Sequence, residues 1–130
     1  MRTAFILLAV LLVLPACKKD SDNCSRYGTA NISSVRYIGT SRGEAGQQGA
    51  AFFDVTCGFP DGCYSINKFI LTKDKDTIVI GAESVMNTCI ACITEPMSVT
   101  KNFVFTPSTT GTYYIKWKGV PNRIDTVFIR

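Results

Sequence analysis

Hydrophobic positions along the chain fall into two regimes. From Ala4 to Leu14 they are nearly continuous, and from Ala30 onward they alternate with polar positions. Alternation at a period of two marks strands with one buried face, because successive side chains on a strand point to opposite sides of the sheet. The pattern predicts a first strand carrying Ile32, Val35, Tyr37 and Ile38, then an exposed Gly- and Gln-rich loop over 40–49. A second strand covers Ala50 to Cys57, with Ala51, Phe53, Val55 and Cys57 on the inward face. Phe-Pro-Asp-Gly at 59–62 is a turn. Tyr64–Thr72 and Thr77–Ala82 are strands joined by the charged tip Lys73–Asp76.

Glu83 to Pro96 reads as a long crossing loop. Strands over Val99–Thr106, Thr112–Lys118 and Ile124–Ile129 follow, with Val120-Pro121-Asn122 turning the last pair. In Phe103–Trp117, Phe103 and Phe105 share one face, and Tyr113, Ile115 and Trp117 share another across a Pro107-to-Gly111 corner. No sustained helical periodicity exists beyond the first apolar run. About seven short strands with Gly and Pro turns predict an all-β antiparallel sandwich, one domain over 30–130.

The first apolar run is a different object. A short positive start (Met1-Arg2), an apolar core of about ten residues and Leu14-Pro15-Ala16-Cys17 describe a secretory signal over 1–16. The run falls short of the roughly twenty apolar residues of a membrane-spanning helix. Cys17 after Ala16 resembles a bacterial lipobox, which implies acylation of Cys17 and a membrane partner through an N-terminal lipid anchor. The polar stretch after it makes 17–29 a lipidated Cys and flexible tether. Cys17-Lys-Lys-Asp-Ser-Asp22 is similar to the start of small outer-membrane lipoproteins of the Bacteroidetes type. That resemblance implies the outer membrane, with display at the cell surface.

Phe103-x-Phe105, a turn, then Gly111-x-Tyr113-x-Ile115-x-Trp117 resembles the E–F corner of immunoglobulin-like sandwiches. The resemblance implies that Tyr113 bonds its hydroxyl back to the corner backbone and that Gly111 supplies the backbone freedom there. It sets Trp117 where antibody domains carry their second disulfide Cys. The expected class is therefore an Ig-like β-sandwich.

Export makes cysteine pairing the default. Beyond Cys17 the chain holds Cys24, Cys57, Cys63, Cys89 and Cys92, an odd number. Cys24 lies in the tether and is the expected outlier, leaving Cys57, Cys63, Cys89 and Cys92 as the disulfide candidates. A link from Cys57 or Cys63 to the 89–92 segment closes about thirty residues and contributes ~3.5 kcal/mol, against ~2 kcal/mol for a four-residue loop. At least one such cross-link is expected. Cys89-Ile-Ala-Cys92 also raises an alternative, an exported redox or metal-linked protein. A redox CxxC belongs at a helix start in a βαβ setting, and the spacing from Cys57 to Cys63 is too long for a usual zinc knuckle. No metal or cofactor is expected.

The chain contains no histidine, which removes Ser-His-Asp and Cys-His nucleophile pairs. The carboxylates fall mostly at turns or outward positions, and no phosphate-cradling glycine loop occurs. A formal net charge of +4 with scattered Lys and Arg forms no nucleic-acid footprint. The expected function is non-catalytic: a binding or structural module with a protein or carbohydrate ligand. Candidate contacts are the 40–49 and 84–97 loops and the aromatics Tyr27, Tyr37, Phe52, Phe59, Tyr64 and Tyr114, the last sharing an outward face with Lys116 and Lys118.

Overall fold

The computed structural model describes residues 23–130; the signal-peptide and Cys17 readings lie outside the described residues. Seven strands follow in order: β1 (Ser25–Ser41), β2 (Ala50–Phe59), β3 (Tyr64–Asp74), β4 (Thr77–Asn87), β5 (Met97–Phe105), β6 (Gly111–Trp117) and β7 (Val120–Ile129). No helix occurs among the described residues.

β1 belongs to both layers of the sandwich. Its first part, Ser25–Ala30, pairs antiparallel with β4. Its second part, Asn31–Ser41, pairs antiparallel with β2, which in turn pairs with β5. The change of partner coincides with a register shift between Ile32 and Ser34, a bulge that bends the strand. Once β1 has left, the edge of β4 over Thr77–Ile80 is open, and β6 fills it in parallel, Thr77 beside Tyr114 and Ile80 beside Trp117. The sheets are therefore not wholly antiparallel. β3 lines the other side of β4, and β7 lies outside β6.

Gly119 sits at the crossover. Its φ of 98° is in the region that glycine tolerates. A Cβ there would stand 2.5 Å from the Ile32 carbonyl oxygen and 2.7 Å from Oδ1 of Asn31. The turn Lys118–Gly119 thus packs directly on β1 where it changes sheets.

Three expected boundaries move. Residues 25–29 belong to β1 rather than to a tether, because their backbone groups pair with β4 and Cys24 is bonded to Cys89. Residues 83–87 continue β4, so the crossing loop is 88–96. Pro121 and Asn122 lie inside β7, and the turn is Lys118–Gly119. Pro121 is tolerated there because β7 is an edge strand.

The core is the seam between layers. Trp117, Phe53, Ile32, Ile80, Ile115, Ile129, Val55 and Cys57 are its largest fully buried side chains. Phe53 and Phe103 meet Trp117 edge-on, with ring centroids 5.1 and 5.8 Å from the indole, an arrangement aromatic pairs favour. On β6, Ile115 and Trp117 are buried while Tyr114 and Lys116 face out, as does Lys118 in the turn that follows.

Candidate functional site

The strand directions sort the loops onto two ends of the sandwich. At one end lie Cys24, the turn 60–63 and the loop 88–96. At the other lie the 42–49 loop, the hairpin tip Lys75–Asp76, the corner 106–110 and Arg130.

The first end is covalently stapled. Cys24 is bonded to Cys89 and Cys63 to Cys92. Cys89 and Cys92 therefore hold separate partners and are not bonded to each other. Backbone bonds tighten the same region: Thr88 N–H donates to the Cys24 carbonyl (2.7 Å), Gly62 N–H to Ile93 (2.8 Å) and Asn87 N–H to Cys63 (3.0 Å). Asp61 Oδ1 accepts from Cys63 N–H at 2.8 Å. Asp61, Cys63 and Cys92 place three ligand-type atoms within 4.8 Å of one another, but two of the three are joined in the disulfide.

Cys57 departs from its expected role as a disulfide candidate, and Cys24 takes its place. The reason is the pleat. Cys57 falls on the inward file of β2 with Phe53 and Val55 and is fully buried, unpaired. Cys24, by contrast, lies at the head of β1, whose pairing of Ser25 with Asn87 carries it to the loop after β4. Burial pushes the Cys57 thiol up to about 11, because the thiolate loses its hydration there.

The opposite end carries a groove of about 820 Å³. Leu71 and Ile78 of the β3–β4 hairpin form one wall, and Phe105, Tyr113 and the corner residues Ser108 and Thr109 form the other. Phe105 and Tyr113 stand edge to face, 5.1 Å between centroids. The Tyr113 hydroxyl donates to the Thr109 carbonyl at 2.6 Å and lies 2.8 Å from the Thr109 hydroxyl. Gly111 begins β6 at φ 145° with open space around its Cα. Lys73 and Asp76 stand at the rim, and Tyr114, 44% exposed, borders it. Rings that stack and hydroxyls that donate or accept equip the groove for a ligand with both apolar and polar faces.

Of the aromatics singled out from sequence, Tyr27, Tyr37 and Tyr114 are exposed, whereas Phe59 is buried and stacks on Tyr64 at 5.7 Å. The 40–49 loop lies at the groove end and the 88–96 loop at the stapled end. Lys73 and Asp76 belong to the groove although their local sequence reads as a plain solvated hairpin tip, and so does Leu71, which reads as an ordinary strand position. Only the exposed Leu71, next to a charged tip, hints at it.

Fold and site together define a small, disulfide-stapled β-sandwich with a groove at the end remote from the staples. The chain belongs to the family of the ORF11 beta-sandwich domain, whose profile matches residues 53–128. The match takes in β3 to β6 and most of β2 and β7, leaving β1 outside. No curated protein and no solved structure matches the chain.

Proposed function

We propose that this protein is a lipid-anchored, non-catalytic binding module of the cell envelope. In this reading it is held at the outer membrane through acylated Cys17 and presents the groove to a protein or carbohydrate ligand. The observation that carries the proposal is polarity. The described chain begins at Asn23, beside both disulfides, and the groove is at the far end of the sandwich. An anchor on the N-terminal side therefore turns the groove away from the bilayer. The leader and the lipobox-like Cys17 support export and anchoring, and the two disulfides suit an oxidising compartment.

The Ig-like assignment has its own support. β2 pairs with β5 and β6 with β7, as strands B with E and F with G do in immunoglobulin sandwiches. The Tyr113 hydroxyl closes the corner between β5 and β6. The parallel contact of β4 with β6 and the pairing of β4 with β1 depart from that plan.

Two measurements test the proposal. Cys17→Ser moves the exported protein from the membrane to the soluble fraction; retention at the membrane removes the anchor. Tyr114→Ala, an exposed change at the groove, lowers capture of envelope proteins or of arrayed glycans by about tenfold, the scale of one aromatic contact. Unchanged capture, or none by the wild type, removes the groove as the binding face.

A further inference from the structure

The isoleucines of the 88–96 loop are exposed rather than turned into the core. Ile90 is 54% exposed, Ile93 64%, and Met97, the first residue of β5, 40%. Other exposed apolar residues, such as Val104 and Phe128, stand on strands, where β-branched and aromatic side chains favour the extended backbone. A loop gives no such reason, and water disfavours each exposed isoleucine.

Ile93 and Met97 form one patch, and Ile90 is exposed on the same short loop. A Cβ at Gly62 would meet the Met97 sulfur at 3.1 Å and Cβ of Ile93 at 3.4 Å, so Ile93 and Met97 flank Gly62. Ile90 lies on the same loop, its carbonyl 3.5 Å from Sγ of Cys92. The display is held rigidly. Disulfides grip the loop at Cys89 and Cys92, and Gly62 N–H holds the Ile93 carbonyl.

What covers the patch follows from where the chain leads. Cys24 is bonded into this loop through Cys89, so the N-terminal segment joins the domain beside the patch. Cys17 precedes Cys24 by seven residues, a contour of at most about 25 Å. Resting on the reading that Cys17 carries the lipid, the bilayer surface is within that reach. We propose that Ile90, Ile93 and Met97 sit in the interfacial layer of the membrane that holds the anchor. The lipid and the stapled loop then make a two-point attachment that keeps the groove pointing outward. Apolar side chains add to a lipid chain in membrane binding. Glu95, exposed beside Ile93, limits the depth, since its carboxylate stays among the headgroups.

The test uses the lipidated mature chain on vesicles of phosphatidylethanolamine and phosphatidylglycerol. Flotation reads membrane attachment as a whole, and loss of flotation on enzymatic removal of the acyl chains assigns it to the anchor. On floated protein, Ile93→Trp and, separately, Ile90→Trp are probed with lipids brominated near the top of the acyl chain. Ser108→Trp, at the groove end, is the reference, and buried Trp117 contributes the same background to all. The expected result is loss and blue shift of the added emission at 93 and 90, with none at 108. Floated protein unquenched at 90 and 93, or quenched equally at 108, overturns the proposal and leaves the anchor standing. Protein that fails to float removes the anchor reading and this proposal with it.

Discussion

Tyr113 donates its hydroxyl hydrogen to the backbone carbonyl of Thr109 at 2.6 Å, closing the corner between β5 and β6. The bond ties the first residues of a core strand to the loop that forms one wall of the groove. Tyr113→Phe removes it while keeping the ring against Phe105. The expected loss is about 1 kcal/mol, the usual net value of one hydrogen bond. Urea unfolding of the Cys17→Ser chain measures it. A midpoint unchanged from the parent would show that the corner does not depend on this hydroxyl.

Cys24–Cys89 spans 65 residues and Cys63–Cys92 spans 29. In the chain-entropy description their removal costs roughly 4 and roughly 3.5 kcal/mol respectively. Paired Ser replacements at 24 and 89 are expected to destabilise at least as much as those at 63 and 92. They also free the start of β1, so amide exchange should rise over Ser25–Ala30 more than elsewhere. Uniform exchange across the chain would contradict this ordering.

Asp125 gathers three donors. Trp117 Nε1–H reaches Oδ2 at 2.6 Å, and Arg123 contributes Nε–H at 2.8 Å and a terminal N–H at 3.0 Å. Arg123 also donates to the Val35 carbonyl, linking β7 to β1. Asp125→Ala leaves the half-buried Arg123 guanidinium without its carboxylate and the buried indole N–H unpaired, a loss of about 2–3 kcal/mol. Asp125→Asn, which keeps an acceptor, is expected to cost less. Equal destabilisation by the two would show that charge, not hydrogen bonding, dominates.

Cys57 is the free thiol of the described residues. Native Cys17→Ser protein is expected to resist thiol reagents at pH 8 and to react fully once unfolded in guanidinium. The sign of its pH effect follows from the raised value. The unfolded thiol ionises near its ordinary 9.0 and the folded one near about 11. Its contribution to stability is therefore complete below pH 9 and is lost as pH rises through 11. Cys57→Ala should flatten that part of the stability profile. An identical alkaline slope in the variant would assign the effect elsewhere.

Much of the fold was legible residue by residue. Period-two alternation located all seven strands and the inward files of β2 and β6, since which face a side chain takes depends only on its neighbours in sequence. The Gly111-x-Tyr113 pattern pointed to a corner that the structure closes on Thr109. Strand ends were less legible. Ser25–Thr29 and Glu83–Asn87 are too polar to read as strands, yet they pair with each other. A backbone ladder needs only a partner at the right distance, and local composition does not report one.

The groove and the stapling were decided in three dimensions. Leu71, Tyr113 and Thr109 meet only because β4 runs parallel beside β6, which brings the β3–β4 hairpin tip against the corner. Cys24 is far from Cys89 in sequence and close in space because β1 starts beside the end of β4. By itself the sequence determined the class of structure and the inward faces, both properties of short-range periodicity and composition. The tertiary structure decided which cysteines pair and where the groove opens. Both depend on contacts across the sandwich, which no local pattern encodes.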